Sequence, residues 1–288
     1  MENTGPSGRA ETLNTPIRGA LLAVTAAVLW GSLGVSFKMG LERGASGEWM
    51  IIGRPLLASI AAVIVAALRL GSPSRWSIAV GLLGLGPLYV FYPLSVERIG
   101  AAAASVLLYT APLWVTLAGG IVLGEKPSRL DLAIVPLGLS GAFLVSWTGS
   151  LPLDPLGVLL GLLSGVTYAA YMVLARLASK RGASTLEISV FSIPVAALIT
   201  MVVIRPSGYP SPTDVPWILY LAFAATLIPY ILHVKALSLA PAHRISVISL
   251  VEPVAAIILA HLFLGEEFTV LQIVGAGMVI TAAAMSSR

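Results

Sequence analysis

No cysteine occurs in the 288 residues. That excludes disulfides, a thiolate nucleophile and a cysteine metal site, and leaves the redox compartment open. Charge is scarce as well. Asp, Glu, Lys and Arg make up 10% of the chain, against about 25% in a soluble domain. The sequence has no HExxH pair, no P-loop and no acidic metal cluster, so neither metal nor cofactor is expected. The glycines at Gly81, Gly84 and Gly86 imitate a dinucleotide loop, but they lie inside an apolar run with no strand before it.

What remains is apolar: 57% of residues are hydrophobic and the mean hydropathy is +0.95. This composition implies a polytopic membrane protein. Apolar runs bounded by charges or turn residues place spans at 17–38, 49–69, 76–97, 101–123, 130–148, 155–177, 186–204, 216–238, 243–264 and 269–286. Each is long enough to cross about 30 Å of hydrocarbon. None shows barrel alternation, so all ten are expected to be helices. Such a chain has no room for a soluble catalytic or nucleotide-binding domain. Residues 1–16 are polar and read as a disordered tail, with Glu2 and Glu11 arguing against a cleaved signal peptide. Residues 149–154 read as an external linker between 17–148 and 155–288. The net charge of +4 is assigned to topology-setting loop residues rather than to nucleic acid binding. Eleven Lys and Arg fall on the side of the N-terminus and four on the other, which places both termini in the cytoplasm.

The chain also repeats itself. The stretch from Gly100 to Trp147 returns 141 positions later, pairing Ser105 with Ser246, Pro112 with Pro253, Gly124 with Gly265 and Glu125 with Glu266. Earlier, Trp30 pairs with Tyr168, Lys38 with Arg176, Pro55 with Pro194 and Tyr89 with Tyr230. Five helices per copy is an odd number, so the second copy enters the membrane upside down. Inverted repeats place a site near the midplane, between halves that exchange conformations, as in many secondary transporters.

Several residues suit such a site. Tyr89 and Tyr92, Tyr168 and Tyr171, and Tyr230 and His233 are each three apart and share a helical face, with Trp30 and Tyr109 adding rings near mid-span. The alternative for these is helix–helix hydrogen bonding. Glu252 lies at the centre of the ninth span, where a charge costs several kcal/mol unless paired or hydrated. It is free to bind a proton, pair with His233 or Lys235, face a substrate ammonium, or cap backbone near Pro253. Lys235 and Arg54 each have a simpler reading as snorkelling residues. Pro55, Pro112, Pro194 and Pro253 are hinge candidates, with packing kinks as the alternative. No catalytic residue is assigned. Gly138-Leu-Ser140-Gly141 resembles an intramembrane protease serine loop, a weak match that would need a nearby histidine.

Leu29-Trp30-Gly31, Tyr109-Thr-Ala-Pro112 with Gly124-Glu125-Lys126, and Leu250-Val-Glu252-Pro253 with Leu264-Gly265-Glu266 resemble the drug/metabolite transporter superfamily, in its form with two EamA-type repeats. Within it the chain looks similar to the bacterial aromatic amino-acid exporters known as YddG. Tyr168 departs from the pattern, standing where many second repeats have tryptophan. The resemblance implies an all-α fold of ten transmembrane helices in two inverted five-helix repeats around a central cavity. It implies a bacterial inner-membrane exporter of amino acids, aromatic ones included, and of related metabolites or toxic organic cations. The cavity would be lined by Trp30, Tyr89, Tyr92, Tyr109, Tyr168, Tyr171, His233, Lys235 and Glu252. Expected partners are the lipid bilayer, a small-molecule substrate and protons as a candidate coupling ion, with the monomer as functional unit. Alternatives are a carrier of phosphorylated or nucleotide sugars, which needs several cationic residues in the cavity, and an intramembrane hydrolase.

Overall fold

The computed structural model describes residues 6–147 and 154–287, with side chains from Thr15 onward. Of the expected linker 149–154, only Asp154 is among them. All regular structure among the described residues is helical. The elements are α1 (Pro6–Glu42), α2 (Gly47–Ala58), α3 (Ile60–Ala67), α4 (Arg75–Val80), α5 (Gly86–Leu108), α6 (Ala111–Val122), α7 (Arg129–Ser146), α8 (Pro155–Lys180), α9 (Thr185–Val203), α10 (Val215–Ala222), α11 (Ile228–Leu239), α12 (Ala242–Ser249), α13 (Val251–Leu264) and α14 (Val270–Ser286). Eight helical stretches are long and apolar enough to cross a membrane, and Ala111–Val122 and Val270–Ser286 are shorter apolar helices. Helix α1 runs from Pro6, so it takes in residues 6–16 ahead of the first span. Residues 1–5 lie outside the described residues.

Breaks in the helices repeat between the halves. Gly100, at φ 80° and ψ 158°, turns the chain inside α5 between the third and fourth spans; this left-handed region suits glycine. The fourth span is then interrupted at Tyr109–Thr110, and its copy at Leu250. Pro112 and Pro253 stand just beyond these breaks, where a missing N–H costs least. In the third span, residues 81–85 widen into a π turn ahead of Pro87, and residues 223–227 do the same ahead of Pro229. The Gly86 N–H reaches back to the Gly81 carbonyl and that of Ile228 to Phe223. The wider turn relieves the clash between a proline ring and the carbonyl four residues earlier. The glycines that imitate a nucleotide loop thus serve packing. A Cβ on Gly84 would stand 2.7 Å from the Tyr171 Cα, and one on Gly81 2.7 Å from the Ser192 carbonyl.

The hinge candidates divide accordingly. Pro55 lies four residues before the α2–α3 break at Ser59, whose N–H and hydroxyl both donate to the Pro55 carbonyl. Pro194 sits inside an unbroken α9. The two halves interlock: α1 packs on α11 and α13, α5 on α8, and α7 on α14.

Outside the spans, Asp214 ties two loops together. Its carboxylate accepts from the N–H groups of Ser46 and Ser211, both at 2.6 Å, and from the Ser211 hydroxyl at 2.9 Å. Burial pushes its pKa up, but those three donors, Ser46 first, outweigh burial and hold it below the ordinary carboxylate range. Because the folded value lies below the unfolded one, the contribution is complete above about pH 4 and is lost as pH falls through the folded pKa. Asp214→Ala is expected to cost about 1–3 kcal/mol at neutral pH, and thermal unfolding of wild type and variant should converge in acid.

Candidate functional site

The repeats bring a knot of rings to the centre of the bundle. Trp30 of α1 contacts Tyr230 at 5.2 Å, His233 at 5.1 Å and Tyr168 at 6.1 Å between ring centroids. Tyr171 stacks on Tyr168 at 6.0 Å and meets Tyr230 edge-on at 5.4 Å, while Tyr89 lies 6.3 Å from Tyr230. All six residues are buried. Trp30 can approach closely because the next residue is Gly31. A Cβ there would stand 2.8 Å from the Ala255 Cβ and 2.9 Å from the Glu252 carbonyl. The tight α1–α13 contact therefore presses the backbone beside Trp30 against that of Glu252.

His233 is fully engaged. Ser249 donates its hydroxyl to the Ile245 carbonyl at 2.9 Å, which leaves its oxygen to accept from His233 Nε2 at 3.0 Å. The other ring nitrogen, Nδ1, then accepts from the Tyr171 hydroxyl at 3.0 Å. This chain assigns a neutral Nε2–H tautomer. The buried hydroxyls of Tyr89 and Tyr168 behave differently: neither makes a hydrogen bond of good geometry, although Tyr230 and Thr226 stand near the first and Ser249 near the second. Two weakly held phenols are thus free to reorient toward a guest.

The rim of the knot is polar. Tyr92 bonds the Ser105 hydroxyl at 2.9 Å, and the Tyr109 hydroxyl faces the Glu252 carboxyl. Glu252 is half-buried and forms no ion pair; neither His233 nor Lys235 partners it. Lys235 is exposed, away from the knot. Two residues from His233 on a helix, Lys235 faces almost the opposite way. Arg54, read from the sequence as snorkelling, instead lays its guanidinium over the Tyr89 ring at 4.7 Å. Tyr230, paired from the sequence with Tyr89 across the repeat and with His233 on one helical face, contacts Trp30, Tyr89 and Tyr171. A separate pocket of about 400 Å³ flanks the knot beside Tyr109, Ser140 and Phe143.

The two ends of the bundle are closed by equivalent but unequal ion pairs. At one end Glu125 accepts from Arg176 Nε at 2.7 Å and from the Ala242 N–H at 2.8 Å. Arg176 also donates to the Leu237 and Ser238 carbonyls, and Lys180 to that of Leu123 at 2.8 Å. At the other end Lys38 meets Glu266 at 2.8 Å. Lys38 is the repeat partner of Arg176 and Glu266 that of Glu125, so inverting the repeat turns one pair into the other. The first pair is only 15% and 9% exposed and the second 51% and 53%. The structure is therefore tightly shut at the Glu125 end and lightly held at the Glu266 end.

The three histidines also bear on the hydrolase alternative. His233 holds Tyr171 and Ser249, His261 holds the Glu266 carbonyl at 2.7 Å, and His243 lies 3.5 Å from Asp131. Ser140 is exposed and none of them serves it as a base.

Comparison with known proteins gives a consistent result. The family model described as the EamA-like transporter family matches residues 17–147 and again 155–288. A transporter of Archaeoglobus fulgidus is 25% identical over 277 residues, covering 94% of this chain and 96% of its own. The threonine/homoserine exporter RhtA of Salmonella typhimurium is 28% identical over 226 residues, covering 75% of this chain and 72% of its own. A protein crystal structure superposes with a TM-score of 0.78 at 19% identity, over 93% of this chain and 96% of that one, and shares the fold.

Proposed function

Since the chain belongs to the EamA-like transporter family, we propose that it exports amino acids, aromatic ones included, across a bacterial inner membrane by alternating access. The observation that carries this reading is the central knot: buried rings with two weakly held phenols, Tyr89 and Tyr168, flanked by Glu252, at the junction of two inverted repeats. Rings suit an apolar side chain, and a carboxylate suits an ammonium group. The similarity to a threonine/homoserine exporter supports amino acids as the class, and toxic organic cations would use the same rings and carboxylate. With the Glu125 end in the cytoplasm, as loop charge argues, this structure is closed inward and ready to open outward. A monomer already contains both halves. Export runs down the substrate gradient or in exchange with protons. Sugar phosphates fit less well, because Arg54 is the single cation at the knot.

The test is efflux of radiolabelled phenylalanine, tryptophan and threonine, and of methyl viologen, from proteoliposomes with and without a pH gradient. Saturable amino-acid flux is expected, falling on the order of tenfold or more in Trp30→Ala and Tyr230→Ala. A gradient-independent flux would mean uniport. Absence of flux for every amino acid would overturn the reading.

A further inference from the structure

Gly138-Leu-Ser140-Gly141 in α7 is still without a role. Its glycines serve packing, for a Cβ on Gly138 would stand 2.9 Å from the Leu250 Cδ1 and one on Gly141 2.8 Å from the Gly275 carbonyl. Helical spacing turns Ser140 away from that face, and it is exposed. It lines the pocket of about 400 Å³ together with Val106, Tyr109, Thr110, Leu139 and Phe143. Ser140 lies about 17 Å along α7 from Arg129 and about 9 Å from its end at Ser146. The pocket therefore opens on hydrocarbon rather than on water. Serine and threonine inside helices can return their hydroxyl to a carbonyl of their own helix, as Thr116 does to Pro112 and Thr281 to Gly277, each at 2.7 Å. Thr110, across the pocket, donates to the Leu107 carbonyl at 2.6 Å and accepts from Trp114 Nε1 at 3.1 Å. The Ser140 hydroxyl has no partner among the described residues.

An acyl chain would fill this space but leave that hydroxyl unpaired. The surroundings suit another guest. Two of the lining residues, Tyr109 and Phe143, are aromatic, and Trp147 adds a third ring 5.3 Å from Phe143. Among the described residues no Lys or Arg lines the pocket. Beyond the Tyr109 ring its hydroxyl faces Glu252, a carboxyl that forms no ion pair. Resting on the export of organic cations put forward above, we propose that this pocket is a membrane-facing antechamber for bulky lipophilic organic cations dissolved in the bilayer. Ring faces attract a delocalised cation without a salt bridge, and the Ser140 hydroxyl turns its oxygen toward the positive charge. Tyr109, at the break in the fourth span, is the wall between antechamber and knot, so movement at that break brings the guest to Glu252. Free amino acids are too polar to dissolve in hydrocarbon and reach the knot from water instead.

The experiment is equilibrium binding of tritiated tetraphenylphosphonium to the purified full chain in lipid nanodiscs, taken as the fraction displaced by excess unlabelled compound. Ser140→Trp fills the pocket and is expected to weaken this binding on the order of tenfold or more. Phe143→Ala removes a ring without adding bulk and should weaken it about threefold to tenfold. Tritiated phenylalanine, measured in parallel, should keep its wild-type affinity in both variants, which also shows that they are folded. Ile121→Trp, 88% exposed on α6 and outside the pocket, should change neither ligand. Triphenylphosphine oxide, neutral and of similar bulk, should compete on the order of tenfold less well than the cation. The proposal is overturned if neither pocket variant weakens tetraphenylphosphonium selectively, or if the neutral compound competes equally. Phenylalanine binding with no displaceable tetraphenylphosphonium would overturn the antechamber and leave amino-acid export standing. Binding of neither ligand would overturn the export reading with it.

Discussion

Glu125→Ala is expected to open the tightly closed end of the bundle. The Glu125 carboxylate joins the α6–α7 loop to the end of α8 through Arg176, and to the start of α12 through the Ala242 N–H. Arg176 in turn holds the C-terminal carbonyls of α11. Deleting one member of a buried pair leaves the other charge uncompensated and costs about 3–5 kcal/mol. That cost falls only on the state closed at this end. Even 3 kcal/mol shifts a two-state equilibrium by more than roughly a hundredfold. The same change at the exposed partner, Glu266→Ala, should cost no more than about 1 kcal/mol. The variants are distinguished by protease accessibility of loop 123–129, which should rise in Glu125→Ala and stay near wild type in Glu266→Ala. Equal effects at the two ends would contradict the reading of an asymmetric, one-end-closed state.

The second large effect is expected at Gly31. Adding one methyl group there places it 2.8 Å from the Ala255 Cβ and 2.9 Å from the Ala256 nitrogen and the Glu252 carbonyl. Two of these three neighbours are backbone, so a rotamer change gives no relief, and α1 and α13 must separate. Overpacking of this kind costs about 1–3 kcal/mol. It also withdraws Trp30 from the ring knot and shifts Glu252. Gly31→Ala should therefore reduce transport on the order of tenfold or more while the protein remains membrane-inserted. Gly34→Ala, on the same helix with nothing within 4 Å of its Cβ position, should be close to neutral. An equal response at Gly31 and Gly34 would mean that helix propensity, not close approach, governs both.

Much of the architecture was legible because the chain states it twice. Long apolar runs located the spans, and the 141-residue offset located the broken fourth helices through Pro112 and Pro253. The site was legible in part. Tyrosines three apart announced a shared face, and Trp30 its place among them. The π turns escaped notice because nothing in an apolar run marks a widened turn except the proline that follows it. Arg54 was misread because depth was counted from the nearest loop, whereas its direction is set by Tyr89, which is distant in sequence. Lys235 stands two residues from His233, a spacing that turns it to nearly the opposite side of its helix. The end-closing pairs needed the fold, since each joins residues of opposite repeats.

The absence of cysteine permits a direct test of alternating access. Single cysteines are placed at Gly34, which faces open space one turn before Lys38, and at Ala240, which is buried two residues before the Ala242 N–H that Glu125 holds. Each is then labelled with a membrane-impermeant thiol reagent added from its own side, with and without Glu125→Ala. Reciprocal change is expected: in the Glu125→Ala background, labelling rises at Ala240→Cys and falls at Gly34→Cys. A rise at both positions would indicate local unfolding, and no change at either would indicate a rigid bundle. Either of those results would contradict a transporter whose two ends open in alternation.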